Sequence, residues 1–436
     1  LAPPDNVEER LIWNFQCLPC HSTDGRPGYP EDPAKAGEGP DTRAAELGIA
    51  CEACHGPGEA HAASAREVGS GSRPSPMVHP AKLPAQRSAQ VCGQFHSLNL
   101  PLLPEDHFDW MVDGPDYRPG LDLDRFRFVL RAEKAKESPL YRAWEQQGML
   151  SLEDLFWGDG QVRVTGREYN GLRDSKCFES GQLSCLNCHS MHSADPDDLL
   201  KPEAMGDSVC LSCHGQLRAN ITEHTHHAEG SPGSRCYNCH MPHTAYGLLK
   251  AERSHTITVP SAEESVKWGR PNACNACHLD RTVAWTADYL ERWYGQKRVA
   301  IGGEHVRIAV GAVWLLTGDA GQRALAAWYT GWEPARQTAG EAWLAPLLAE
   351  TLDDPYATVR YIAQRSLRRQ AAYRDFEYDF VAAGPARATA VATARALAPQ
   401  AKPNPLTLTT PAGTPDTAEI RRLLRKRDYR PVTLGE

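Results

Sequence analysis

Twelve of the fourteen cysteines form pairs separated by two residues, and a histidine directly follows each pair. Two thiols at this spacing lie on one helical turn and can add to the two vinyl groups on one edge of a porphyrin, while the histidine reaches the iron. The pattern therefore predicts six c-type haems with histidine as proximal ligand. The attachment cysteines are Cys17, Cys20, Cys51, Cys54, Cys185, Cys188, Cys210, Cys213, Cys236, Cys239, Cys274 and Cys277, and the proximal ligands are His21, His55, His189, His214, His240 and His278.

Other uses of paired cysteines fit this spacing poorly. Fourteen cysteines could form seven disulfides, but disulfides do not require a CXXCH pattern repeated six times. Structural zinc sites need no histidine directly after every second cysteine. A redox dithiol needs one pair in a βαβ setting, not six pairs each followed by histidine.

Histidines outside the six motifs could supply the second axial ligand of every haem. The candidate distal ligands are His61, His79, His192, His224, His226, His227, His243 and His255. His192 and His243 each lie three residues after a proximal histidine, too close to reach the other face of the same haem. Each is therefore predicted to bind a neighbouring haem. His107 and His305 are interpreted as solvated or structural, and bis-histidine ligation predicts comparatively low potentials.

The two remaining cysteines leave alternatives open. Cys92-Gly-Gln-Phe95-His96 matches the haem motif except that phenylalanine replaces the second cysteine. Either a seventh haem is held by one thioether at Cys92 with His96 as ligand, or that haem has been lost and Phe95 fills part of its space. Cys177 lies outside any motif, and it could pair with Cys92 in a disulfide if the haem is absent.

The distribution of motifs predicts three haem-related regions. Residues 1–115 form an N-terminal haem-binding region rich in glycine and proline, and residues 116–175 form a connecting insert without histidine. Residues 176–295 hold four motifs in a compact haem cluster. This density leaves room only for short helices and loops, so the predicted fold class is mainly α with much irregular loop.

The last third of the chain has no cysteine and differs in character. Residues 296–375 contain short amphipathic helices in succession, which predicts a HEAT-like α-helical repeat, with an irregular helical bundle as the alternative. Residues 376–436 are predicted to form an extended C-terminal arm with a Pro/Thr-rich stretch at 403–415. The basic run at 421–427 is interpreted as a solvated helix face or a contact with an acidic partner.

Composition and charge limit the classes of function. The formal net charge of −8 gives no electrostatic footprint for nucleic acid. No apolar run approaches the roughly 20 residues of a membrane span. Covalent haem attachment takes place outside the cytoplasm, which predicts a periplasmic or extracellular protein whose export signal has been removed.

Several longer strings carry a resemblance to a known family. They are WNFQC at 13–17, IACEACHGPG at 49–58, GREYNG at 166–171, CYNCHMPH at 236–243, RPNACNACHLD at 270–280 and DPYATVR at 354–360. With them the chain resembles the bacterial multihaem c-type cytochromes of the doubled-CXXCH type with a C-terminal HEAT-repeat region. The segment at 54–58 is also similar to the cytochrome c554 group, a resemblance that implies distal ligation by His61. Similar proteins have a complete motif at 92–96 and a His-rich upstream segment.

Three functions follow as hypotheses. The favoured one is an electron carrier whose closely spaced haems pass electrons between other redox proteins or cytochromes. The second is an oxidoreductase with one open-site haem acting on a small nitrogen or sulfur compound, although nothing in the sequence marks a substrate pocket. The third is a subunit of a polymeric or larger electron-transfer assembly, with the helical region and the arm making the contacts.

Overall fold

The computed structural model describes residues 13–32, 34–35, 39–67, 77–192, 195 and 197–432. Over these residues the protein is mainly helical with much irregular loop, which confirms the predicted fold class. The strands pair into three antiparallel two-stranded sheets. They are Ser22–Thr23 with Glu46–Leu47, Asn99–Pro101 with Arg127–Val129, and Ala245–Gly247 with Lys250–Glu252.

Short helices dominate the first 300 residues, in keeping with the high density of motifs. The α-helices are Leu18–His21, Cys51–His55, Glu59–Glu67, Ala85–Gly93, Pro104–Asp113, Pro139–Gln146, Leu152–Leu155, Glu168–Arg173, Lys176–Glu179, Ser208–Cys213, Ile221–Thr225, Cys236–His240, Glu263–Trp268, Ala273–Cys277 and Val283–Tyr294. A π-helical turn spans Trp13–Cys17. The 3-10 turns of this part are Pro80–Lys82, Leu123–Arg125, Ala135–Glu137, Cys185–Asn187, Pro202–Ala204, Gly215–Leu217 and Pro232–Ser234.

The C-terminal part contains the largest apolar core. Its α-helices are Glu304–Arg307, Val310–Thr317, Ala320–Gly331, Glu333–Ala339, Ala345–Thr351, Ala357–Leu367, Gly384–Ala396 and Thr417–Leu424, with 3-10 turns at Ala371–Tyr373 and Pro405–Thr407. Every residue from Val310 to Leu316 is buried, so this helix is surrounded by its neighbours. The structure contains the short helices that the predicted HEAT-like repeat requires, and the repeat itself stays a prediction.

The C-terminal segment differs from the extended arm that the sequence predicts for 376–436. Its described part, up to residue 432, folds back on the helices, and Leu408, Ile420, Leu423 and Val432 are buried in their core. These apolar residues outweigh the Pro/Thr-rich composition, because their burial removes apolar surface from water. Residues 433–436 lie outside the described residues.

The basic run at 421–427 finds its acidic partners within the chain. Arg422 and Lys426 both contact Glu304, at 2.9 and 2.5 Å. Arg427 is buried and lies 3.5 Å from Asp354. Arg422, Lys426 and Arg427 are thus paired within the chain, whereas Arg421 and Arg425 are exposed.

Ion pairs also tie the connecting insert to the C-terminal helices. Arg163 of the insert contacts the buried Asp319 at 2.5 Å, and Arg430 contacts the other oxygen of the same carboxylate at 2.9 Å. Asp319 also caps the helix Ala320–Gly331 by accepting the Gln322 N–H. One carboxylate thus links three parts of the chain.

No helix within the described residues combines the length and the apolar character needed to cross a membrane.

Candidate haem-binding sites

We number the six CXXCH sites in chain order: site 1 at residues 17–21, site 2 at 51–55, site 3 at 185–189, site 4 at 210–214, site 5 at 236–240 and site 6 at 274–278. Each lies on a short helix or helical turn. At sites 3, 4 and 6 the backbone N–H of the histidine donates to the carbonyl of the first cysteine, at 2.9 to 3.0 Å. This single turn holds both thiols and the imidazole together, as attachment to one porphyrin requires.

Four proximal histidines face a second histidine across a characteristic gap. The ring centres are 6.1 Å apart for His55–His192, 6.3 Å for His189–His255, 6.3 Å for His240–His224 and 6.2 Å for His278–His227. Because an imidazole nitrogen lies about 2.0 Å from a bound metal, with the ring centre about 1.1 Å beyond, imidazoles on opposite sides of one metal have centres about 6.2 Å apart. These pairs fit the two axial ligands of a haem iron.

Hydrogen bonds fix which ring nitrogen faces the gap. In five of the paired histidines Nδ1 contacts a backbone carbonyl, which leaves Nε2 for the metal. The contacts are His55 with Val78 at 2.7 Å, His189 with Asp198 at 3.1 Å, His227 with Thr225 at 2.6 Å, His240 with Thr258 at 2.7 Å and His255 with Arg253 at 3.2 Å.

The surroundings of several ligand candidates favour the neutral imidazole, which is the form that binds metal. Burial, followed by the neighbouring His227, lowers the pKa of His278 to about 4. Burial also lowers the pKa of His224 and of His255. These imidazoles are therefore unprotonated at neutral pH.

The other predicted ligands lie in different surroundings. His79 is also 6.1 Å from His55, with its ring nearly perpendicular, so site 2 has two possible partners. His243 packs against Trp328 and Trp332, with ring centres 4.6 and 5.1 Å away.

His226 stacks on Trp293 at 4.1 Å. His61 lies on the helix Glu59–Glu67. His21 of site 1 and His214 of site 4 face no second histidine at a similar separation in the described part of the chain. The two histidines not predicted as ligands lie beside Trp144 (His107) and on the helix Glu304–Arg307 (His305).

Cysteines of successive sites lie next to one another. A hydrogen bond with Cys236 lowers the pKa of Cys210 to about 7, which places site 4 beside site 5. Burial, followed by the nearby Cys210, raises the pKa of Cys188, which places site 3 beside site 4.

The last two sites are also adjacent. Burial, followed by the nearby Cys239, raises the pKa of Cys274 and of Cys277 to about 12. The attachment edges of sites 3 to 6 therefore follow one another in chain order.

The cysteines outside the six motifs have different neighbours. The nearby Cys185 of site 3 lowers the pKa of Cys92, whereas the electrostatic neighbours of Cys177 are Cys210 and Cys213 of site 4. All fourteen cysteines are described, and none is in a disulfide in the structure. The Cys92–Cys177 disulfide is not formed here because each cysteine faces a different haem site.

A buried ion-pair cluster packs next to site 6 and contains a carboxyl group whose pKa is raised. Glu264, 6% exposed, contacts Arg270 at 3.0 Å, and Arg270 also contacts Asp159 at 2.8 Å. Ser265 joins this cluster to the motif by accepting a hydrogen bond from Asn272 at 2.9 Å. Burial, opposed by Arg270, raises the pKa of Glu264 to about 7.

We expect Glu264→Gln to be as stable as the parent near pH 4 and more stable at pH 8. A carboxyl with a raised folded-state pKa contributes its full stability below the unfolded value of about 4.3, and this is lost as pH rises through about 7. The loss is about 1.4 kcal/mol for each unit of pKa shift. Thermal unfolding of both proteins from pH 4 to 8 measures it, and parallel curves would contradict the prediction.

Comparison with known proteins gives two sequence matches and one structural match. A family model described as the doubled CXXCH motif matches residues 176–219. Multiheme cytochrome MtrA of Shewanella baltica (strain OS185) is 25% identical over 103 residues, which are 24% of this chain and 26% of that protein. The match thus spans about a quarter of the relative.

The structural match is to the outer cell wall cytochrome OcwA. It has a TM-score of 0.40 and 18% sequence identity, and covers 82% of this chain and 76% of the other. The six motifs and the two sequence matches together support a multihaem c-type protein with haem c as its cofactor.

Proposed function

We propose that this multihaem c-type cytochrome carries electrons between redox partner proteins through six closely spaced haems, most of them bis-histidine. The observation that carries the proposal is the set of four histidine pairs at the separation of two axial ligands. Haems whose iron has two protein ligands are suited to electron transfer, because no position is left for a substrate. The partners are other cytochromes or redox proteins, in a periplasmic or extracellular setting.

The proposed distal ligands come from segments outside the motif that each of them serves. His255 serves site 3, His224 serves site 5 and His227 serves site 6. The short segment 224–227 thus binds the irons of two successive haems, which supports a short distance between them. His61, His79 and His243 remain candidates for sites 1 and 4, and His226 is proposed to pack on Trp293.

Site 2 requires a choice between His192 and His79. The Nδ1 atom of His55 contacts the carbonyl of Val78, the residue before His79, so Nε2 points away from that part of the chain. This orientation favours His192, whose ring is also nearly parallel to that of His55. We therefore propose that the histidine following site 3 is the distal ligand of site 2.

We expect His192→Ala to convert one low-spin haem to a high-spin form, because the iron of site 2 loses its sixth ligand. His79→Ala is the matched control and is expected to leave the number of low-spin haems unchanged. Electron paramagnetic resonance of the oxidised proteins counts both forms. The assignment fails if His79→Ala gives the high-spin signal and His192→Ala does not.

Two other hypotheses have less support. The assembly hypothesis uses the arm as a contact, and the described part of the arm packs on its own chain. An enzyme would need an iron with an open position, and the four histidine pairs leave none at sites 2, 3, 5 and 6.

Rapid mixing distinguishes carrier from enzyme. The fully reduced holoprotein is mixed with an oxidised soluble c-type cytochrome, and separately with nitrite, hydroxylamine and sulfite or tetrathionate. A carrier is reoxidised by the protein acceptor alone. Turnover of a small compound together with slow transfer to the protein acceptor would overturn the proposal in favour of an enzyme.

A further inference from the structure

We propose that residues 92–96 form a seventh haem site, with one thioether at Cys92 and with His96 as an axial ligand positioned by Glu168. The proposal rests on the haem attachment proposed for the six complete motifs, and it adds a haem to that chain. Three features of the described residues support it: the backbone turn, the orientation of the imidazole and the position of the segment.

The backbone at 92–96 has the same turn as the complete motifs. The N–H groups of Phe95 and His96 donate to the carbonyl of Cys92, at 3.0 and 2.9 Å. At site 3 the N–H groups of Cys188 and His189 donate to the carbonyl of Cys185, at 3.1 and 2.9 Å. The segment at the end of the helix Ala85–Gly93 thus keeps the turn of the complete motifs.

The imidazole of His96 is oriented as an axial ligand. Its Nδ1 contacts the Glu168 carboxylate at 2.8 Å, which leaves Nε2 for a metal, and the side chain is 60% exposed. The other oxygen of Glu168 accepts the N–H of Gly166 at 2.9 Å, which fixes the carboxylate. A metal-binding histidine commonly gives its second N–H to such a partner.

The segment 166–171 holds the site in place. The N–H of Tyr169 donates to the carbonyl of His96 at 2.9 Å, and Asn170 bonds both the N–H and the carbonyl of Leu98. Gly171 lies so close to Thr256, next to the site 3 ligand His255, that a Cβ would be 3.0 Å from the Thr256 nitrogen. The segment 166–171, most of which belongs to the helix Glu168–Arg173, therefore contacts both the 92–98 segment and Thr256.

The position of the segment joins site 1 to the other sites. The thiol of Cys20 lies 3.8 Å from the carbonyl of Phe95, and Cys92 is a neighbour of Cys185 of site 3. Cys92 is also an electrostatic neighbour of Cys54 of site 2. A haem at 92–96 would therefore lie at the junction of sites 1, 2 and 3.

The partner of His96 predicts the potential of this haem. The five other Nδ1 contacts go to neutral carbonyls, whereas His96 bonds a carboxylate. A charged acceptor increases the basicity of the imidazole, and a more basic ligand stabilises the ferric iron. Glu168 is therefore expected to make the potential of this haem lower than a neutral acceptor in its place would.

The attachment chemistry balances with haem as the only other reactant. The Cys92 thiol adds across one vinyl group, so that sulfur bonds to one vinyl carbon and hydrogen to the other, and nothing is oxidised or reduced. The second vinyl group stays intact because residue 95 is phenylalanine.

Haem counting tests the proposal on holoprotein matured in an exporting host. Intact mass should show seven haems in the parent and six in Cys92→Ala. The pyridine haemochrome of the parent should include one haem with a retained vinyl group, seen as an α-band at longer wavelength, which Cys92→Ala loses. Six haems in the parent, with no change of haem count in Cys92→Ala, would overturn the proposal while leaving transfer between proteins through six haems intact.

Two further variants keep the test decisive if Cys92→Ala folds poorly. Phe95→Cys completes the motif and should keep seven haems while removing the shifted band; six haems in this variant and the parent would count against the site. Glu168→Gln should keep the haem count and raise the potential of one haem in film voltammetry. Seven haems with all potentials unchanged would reject the role of Glu168.

Discussion

Replacing His255 with alanine is expected to turn the haem of site 3 from low-spin to high-spin and to raise its potential. His255 faces His189 across 6.3 Å, and its Nδ1 contact with the carbonyl of Arg253 directs Nε2 towards that gap. In the described residues no other histidine faces His189 at this separation. The iron would therefore become five-coordinate, or bind water.

The effect on electron transfer should be large because site 3 lies between sites 2 and 4. A shift of about 60 mV changes the equilibrium sharing of one electron between neighbouring haems tenfold. Electron paramagnetic resonance counts the high-spin haem, and potentiometric titration followed in the Soret band measures its potential. Electron transfer along the chain should slow in parallel.

His226→Ala is the matched control for this experiment. His226 is another non-motif histidine, but its ring stacks on Trp293 at 4.1 Å, a separation too short for a metal between them. We expect this variant to keep the spin states and potentials of the parent. If both alanine variants gave the same high-spin signal, the pairing of His255 with His189 would be rejected.

The sequence predicts the attachment cysteines and the proximal histidine of each haem. It does not predict which histidine is the distal ligand. The first cysteine and the histidine of a motif share one turn, so their geometry follows from local spacing. The pairs His189–His255 and His278–His227 join residues brought together only by tertiary folding. Spacing could name His255 and His227 as candidates, but it could not say which iron each would face.

The two histidines that lie three residues after a proximal histidine show the same limit of prediction from sequence. His192 and His243 follow their motifs at identical spacing, yet His192 faces His55 whereas His243 packs against Trp328 and Trp332. The difference comes from the helix Ala320–Gly331, which carries Trp328 and whose Tyr329 hydroxyl donates to the His243 carbonyl. The sequence around His243 gives no indication that this residue contacts a helix that begins at Ala320.

The C-terminal segment could have been predicted in part. Ile420 and Leu423 lie three residues apart and form the buried side of the helix Thr417–Leu424, a pattern visible in the sequence. The partners of the basic residues were not visible, because Glu304 and Asp354 lie far away in the chain. A basic run alone does not distinguish internal ion pairs from solvent or an external partner.

Asp354→Ala is expected to destabilise the C-terminal helices by about 3–5 kcal/mol, the usual cost of removing one partner from a buried ion pair. The Asp354 carboxylate is fully buried and contacts the Arg323 guanidinium through both oxygens, at 2.6 and 3.0 Å. It also lies 3.5 Å from Arg427 and accepts the N–H of Tyr356. Alanine would leave two buried guanidinium groups without their carboxylate.

The adjacent Asp353 provides the control. Its side chain is 51% exposed and pairs with Arg387 at 2.8 Å, so Asp353→Ala should cost about 0–1 kcal/mol. Thermal unfolding followed by far-ultraviolet circular dichroism compares the two variants, and equal unfolding temperatures would contradict the prediction. Because Arg427 belongs to the folded-back segment, Asp354→Ala should also make residues 403–432 more accessible to protease. The haem spin states should stay unchanged, since Asp354 touches none of the proposed ligands, and this separates a loss of the helical scaffold from a loss of the haem chain.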